Sequence, residues 1–124
     1  HLTAAERATA ADPSSSSFDS LLALQDMDEL LTRLLVSDSE ADLLLFEKLR
    51  YTDSYATPHS AFANGASIIV NHADKVWPPA NALCRQLARG FRYAFANLYF
   101  TPNDSQTAPP HSDDRDVFIL LFLN

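Results

Sequence analysis

Between Asp26 and Val36 the apolar residues Met27, Leu30, Leu31, Leu34 and Leu35 recur at helical spacing, while Asp28, Glu29, Thr32 and Arg33 fill the other face. The period predicts an amphipathic helix. Asp26 followed by Glu29 fits a capping pair at its start, and Ser37 to Glu40 supply a polar stop. The run Leu43-Leu44-Leu45-Phe46-Glu47 is too short for its period to separate strand from helix. Tyr51 to Asn64 show no period and read as a surface loop, whereas Ala66 to Asn71, around Ser67-Ile68-Ile69-Val70, read as a short buried strand. A second helix is predicted after Trp77-Pro78-Pro79. Its second proline suits a first turn, Ala80, Leu83, Cys84 and Leu87 share one face, and Gly90 serves as its cap. Two further strands are expected, at Phe91 to Thr101 and Asp116 to Asn124, separated by a polar, proline-punctuated loop from Pro102 to Pro110.

Composition narrows what such a chain does. Its 124 residues suffice for one modest domain with a real core. The net charge of −7 has the wrong sign for neutralising phosphates, so no direct nucleic-acid partner is expected. The apolar run Val117 to Leu123 falls far below the roughly 20 residues of a membrane span, and no membrane partner is expected either. A single cysteine, Cys84, forms no internal disulfide and points to a reducing compartment. His1 to Ser17, rich in Ala, Thr and Ser, lack the large apolar residues that offset ordering entropy, which predicts an unstructured lead-in. The expected organisation is therefore an α+β chain with a lead-in at 1–17, a helical portion at 18–63 and a separate domain at 64–124. A start at His1 and a stop at Asn124 inside an apolar run suggest a piece of something longer.

Candidate chemistry concentrates late in the chain. Strand geometry would put Asn97, Tyr99 and Thr101 on one face, an amide, a phenol and a hydroxyl suited to gripping a carboxylate. Hydrogen bonding to neighbouring backbone is the plainer use of the same groups. His111-Ser112-Asp113 is an H-x-D pair whose imidazole and carboxylate reach one metal from one side of a strand. A loop histidine beside solvated Asp113 and Asp114 is again the plainer alternative. His59 and His72 have no partner at ligand spacing, Cys84 has no neighbouring base, and two glycines are too few for a phosphate cradle.

The residues Ala96-Asn97-Leu98-Tyr99-Phe100-Thr101-Pro102, Ser105-Gln106 and Pro109-Pro110-His111-Ser112-Asp113-Asp114, with Val117 to Leu120, resemble the JmjC-type cupin domain of the ribosomal oxygenases. Gly65 to Asp74 and Trp77-Pro78-Pro79 with Leu83-Cys84 are similar to that family's approach to its barrel. The resemblance covers roughly Asn64 to Leu123, about half of the chain. It implies a helical N-terminal portion followed by the first strands of an incomplete double-stranded β-helix. It also implies that His111 and Asp113 bind Fe(II), that Asn97 and Tyr99 line a 2-oxoglutarate pocket, and that Asp114 supports the site.

Such enzymes are histidyl hydroxylases and lysine-specific demethylases. The expected substrate is a basic ribosomal protein or histone tail, and the expected setting is a nucleus or nucleolus, or bacterial cytoplasm. In that family a second metal histidine and the basic residue that pairs with 2-oxoglutarate follow later, past the position of Asn124, as do homodimerisation regions. This chain alone is therefore expected to be inactive. A non-catalytic cupin-like interaction module, joining a partner by strand addition at an open edge, is the alternative.

Overall fold

The computed structural model describes residues 21–48, 50–103, 105, 113 and 115–121. In chain order they form a 3-10 turn (Leu24–Asp26), α1 (Met27–Val36), β1 (Asp42–Glu47), β2 (Arg50–Tyr51), α2 (Pro58–Ala63), β3 (Ser67–Asn71), a second 3-10 turn (Ala73–Lys75), α3 (Pro78–Leu87) and β4 (Leu98–Phe100). The chain is α+β, as its pattern predicts. Its described residues fall into two compact units, one of 21–42 and 72–97 with 120–121, the other of 43–71 and 98–119. The expected lead-in at 1–17 lies outside the described residues.

In the first unit, α1 follows the predicted period and buries Met27 and Leu30. Its capping differs from expectation. The Asp26 carboxylate reaches backwards, accepting the Ala23 N–H at 2.7 Å, and Glu29 pairs with Arg33 one turn on at 3.5 Å. Asp26 is the last residue of the preceding 3-10 turn, so its side chain closes that turn instead of capping α1. Both Pro78 and Pro79 sit in the first turn of α3, where their missing N–H groups cost nothing, and the helix buries Pro79, Ala80 and Cys84. Gly90 is not a left-handed cap. The backbone winds on past Leu87, with the Ala88 N–H donating to the Cys84 carbonyl and the Gly90 and Phe91 N–H groups both donating to that of Leu87. Trp77, fully buried, donates its indole N–H to the Leu21 carbonyl at 2.9 Å.

The second unit is a four-stranded sheet in the order β2-β1-β3-β4. The run that its period left unassigned is β1, turned into β2 through Lys48 in a left-handed conformation (φ 51°). Ser67, Ile68, Ile69 and Val70 of β3 are all buried, which explains a strand with no polar alternation. β4 pairs antiparallel with β3, Tyr99 opposite Ile69 and Leu98 opposite Val70.

The loop expected at Tyr51 to Asn64 contains a helix instead. Thr57 accepts the Ser60 N–H through its hydroxyl, Pro58 occupies the first helical position, and one buried residue, Ala61, anchors the turn. Six residues are too few for an apolar period to show. Its end is a Schellman turn: Ala66 N–H donates to Ala61 carbonyl and Gly65 N–H to Phe62 carbonyl, with Gly65 at φ 97°.

Of the two late strands, the first shrinks to Leu98–Phe100 and the second does not form over 116–121, while 122–124 lie outside the described residues. A strand needs a ladder partner as well as β-prone side chains, and β3 offers one only as far as β4 extends.

Candidate functional site

The chain leaves β3 through His72, whose backbone is left-handed (φ 53°, ψ 40°) and opens the second 3-10 turn. That turn is tied to 95–97 by polar bonds within the first unit. Ala73 N–H donates to the Ala96 carbonyl at 2.7 Å, and the buried Asp74 carboxylate accepts the Ala96 N–H at 3.0 Å. The His72 N–H donates to Asn97 Oδ1 at 3.1 Å, and the imidazole lies 4.9 Å from the Phe95 ring. Asn97 is exposed, with its amide oxygen engaged by backbone, so its NH2 group is the part left to address a ligand. An amide presented by its donor end suits a carboxylate.

Tyr99 belongs to the second unit and is 51% exposed, while Leu98 and Phe100 on either side are buried. This is the alternation expected from strand geometry, with the phenol on the open face. Asp113 is exposed, and His111 and Asp114 lie outside the described residues. Among the described residues no three His, Cys, Asp or Glu side chains come together as a metal site.

Cys84 behaves as the sequence suggests for a packed thiol. Burial pushes its pKa up to about 11, the Asp74 charge adds to that rise, and Lys75 opposes it. Tyr55 donates its hydroxyl to the Glu47 carboxylate, and that bond, ahead of burial and the Glu47 charge, raises the phenol pKa. A cleft of about 260 Å³ in the second unit is lined by Glu47, Lys48, Asn64, Gly65 and Ser105, and contains none of the predicted site residues. Ser105 closes it by donating its hydroxyl to the Gly65 carbonyl at 2.9 Å.

Sequence reasoning missed the role of Asp74. Its partner lies 22 positions away, and no local spacing signals such a tie. The engagement of Asn97 by the His72 N–H was legible only as the plainer alternative of backbone bonding.

The residues that carry these ties and the predicted ligands share one span. Residues 70–122 match the family model of the JmjC domain. No curated protein and no solved structure is matched by the chain. The JmjC-matching span begins at the end of β3 and includes Asn97, Tyr99, His111 and Asp113. JmjC domains generally belong to the 2-oxoglutarate and Fe(II)-dependent dioxygenases. Among the described residues no helix is long and apolar enough to cross a membrane.

Proposed function

We propose that this chain is part of a 2-oxoglutarate and Fe(II)-dependent protein hydroxylase of the ribosomal oxygenase type. His111 and Asp113 are its iron ligands, and Asn97 and Tyr99 lie along its co-substrate pocket. The observation that carries the reading is the JmjC match over 70–122, which spans all four residues. The donor end of the Asn97 amide supports it, because a dicarboxylate is recognised by donors. The substrate is a basic ribosomal protein or histone tail, modified at a histidine or lysine side chain. The acidic balance of the chain suits such a partner. The parent protein works as a homodimer in a nucleus or nucleolus, or in bacterial cytoplasm.

The test is calorimetric titration of the 124-residue chain with Mn(II), a redox-silent stand-in for Fe(II). The expected result is weak binding abolished by His111→Ala and by Asp113→Ala. Tight binding that survives both substitutions overturns the assignment.

A second reading, a non-catalytic cupin-like interaction module, is favoured by the exposure of the apolar residues Val117 to Leu121. In that case Mn(II) does not bind, and Phe118→Ser abolishes capture of the partner.

A further inference from the structure

The second 3-10 turn begins with backbone donors that it cannot satisfy itself. The Lys75 and Val76 N–H groups donate to the His72 and Ala73 carbonyls, but the N–H groups of His72 and Ala73 come too early in the turn to find an acceptor within it. Residues 96–97 supply both. Ala73 N–H donates to the Ala96 carbonyl at 2.7 Å and His72 N–H to Asn97 Oδ1 at 3.1 Å, while the Asp74 carboxylate takes the Ala96 N–H in return at 3.0 Å. Ala96 is thereby held at both of its backbone polar groups, and the next residue is Asn97.

Asp74 is 6% exposed, whereas Asn97 stands in solvent. An exposed amide turns about its last side-chain bond and can show either end, but a backbone N–H is met only by the oxygen. The His72 N–H therefore decides which end of Asn97 faces outward, and it can do so only while 96–97 keep their place beside 72–74. His72 itself has a left-handed backbone (φ 53°, ψ 40°), a conformation that a residue with a side chain holds only where its surroundings fix it. The bonds to 96–97 provide that constraint.

We propose that Asp74 is a positioning residue for Asn97: by holding Ala96 it keeps the Asn97 oxygen on the His72 N–H and so presents the NH2 end of the amide outward, as a donor for a ligand carboxylate. Asp74 touches no ligand and acts through the backbone of 72–74 and 96–97. Among the described residues nothing takes the Asn97 NH2 group, which leaves it for that use. The proposal deepens the oxygenase reading and rests on it for the identity of the ligand, a dicarboxylate co-substrate. The setting of the amide by Asp74 does not depend on that identity.

Amide hydrogen exchange, read by NMR on the 124-residue chain, tests the coupling with no ligand present. Asn97→Ala should speed exchange at His72 by about tenfold or more, which identifies the bond. Asp74→Ala should speed exchange at Ala96 and at His72 by a similar factor, while Ala88, whose N–H donates to the Cys84 carbonyl, keeps its wild-type rate. Acceleration at Ala96 with an unchanged rate at His72 overturns the proposal, and so does a wild-type rate at His72 in Asn97→Ala. If Ala88 accelerates as well, the whole unit has opened and Asp74→Asn decides. That variant keeps an oxygen for Ala96 and should return His72 to within about threefold of its wild-type rate; a rate as fast as in Asn97→Ala overturns the proposal. Addition of 2-oxoglutarate is the separate check on the ligand. The Asn97 side-chain NH2 signals should shift in the wild type and shift less in Asp74→Ala. No shift in the wild type counts against the oxygenase reading, while the exchange rates still decide on Asp74.

Discussion

The segment Asp116 to Leu121 is at least as apolar as β3, and their fates are opposite. Ile68 is completely buried and Ile119 is 77% exposed. β3 lies between β1 and β4 in the sheet and has α2 packed against it, whereas 116–121 form no strand. Branched and aromatic side chains make a segment competent for a sheet, but neighbours on both sides turn that competence into structure. Stability in this molecule should accordingly follow partners and not hydrophobicity.

The sharpest way to break the comparison is to make the same truncation in both places. Ile68→Ala should cost about 2–4 kcal/mol in urea denaturation, and Ile119→Ala less than about 0.5 kcal/mol. A cost above about 1 kcal/mol for Ile119→Ala would mean that its side chain is packed in the folded chain.

Next in size is the polar tie that follows β3. Asp74→Ala leaves the Ala96 N–H without its acceptor and should cost about 1–3 kcal/mol. Asp74→Asn, which retains an oxygen at that place, should recover part of the loss. Equal losses in the two variants would show that the charge matters more than the bond.

Cys84 adds a pH dependence of opposite origin, burial without a partner. Its folded pKa of about 11 lies above the ordinary thiol value of 9.0, so the thiolate is disfavoured in the folded state. Stability from this group is complete below about pH 9 and is lost as pH rises from about 9 through 11. Cys84→Ala should remove that slope. In the wild type, alkylation by iodoacetamide should stay slow at neutral pH and accelerate only above about pH 10.

The smallest effect concerns the turn that delivers the chain into β3. Gly65→Ala meets only ordinary contact, Ser105 Oγ at 3.8 Å, so its cost is the left-handed backbone alone, about 1 kcal/mol by thermal melting.

The same contrast explains what the sequence reveals. α1, β3 and α3 are legible because each carries enough apolar residues for a period or a buried run to emerge. α2 is hidden by its length, although Thr57-Pro58 is a readable start signal and Gly65 a readable stop. The late start of the first late strand, at Leu98 and not Phe91, and the failure of the second over 116–121 are not legible. Phe91 to Thr101 and 116–121 have the right residues, and ladder partners are a property of the fold. Within the candidate site, the alternation around Tyr99 is predicted by strand geometry and observed. The bonds from Ala96 to Asp74 and from His72 to Asn97 cross more than twenty positions, beyond the reach of any local rule.

Trp77 is the only tryptophan of the chain, and its indole hydrogen bond to Leu21 joins residues 56 positions apart. Closing a loop of that length costs about 3–4 kcal/mol in chain entropy, so the contact cannot be an early event unless packing elsewhere has already shortened the effective loop. The consequence is a built-in clock. Tryptophan emission reports when the first unit has gathered its N-terminal segment, while circular dichroism reports the accumulation of helix and sheet. The lag between the two signals after a denaturant jump gives the order in which the chain assembles, with no label added.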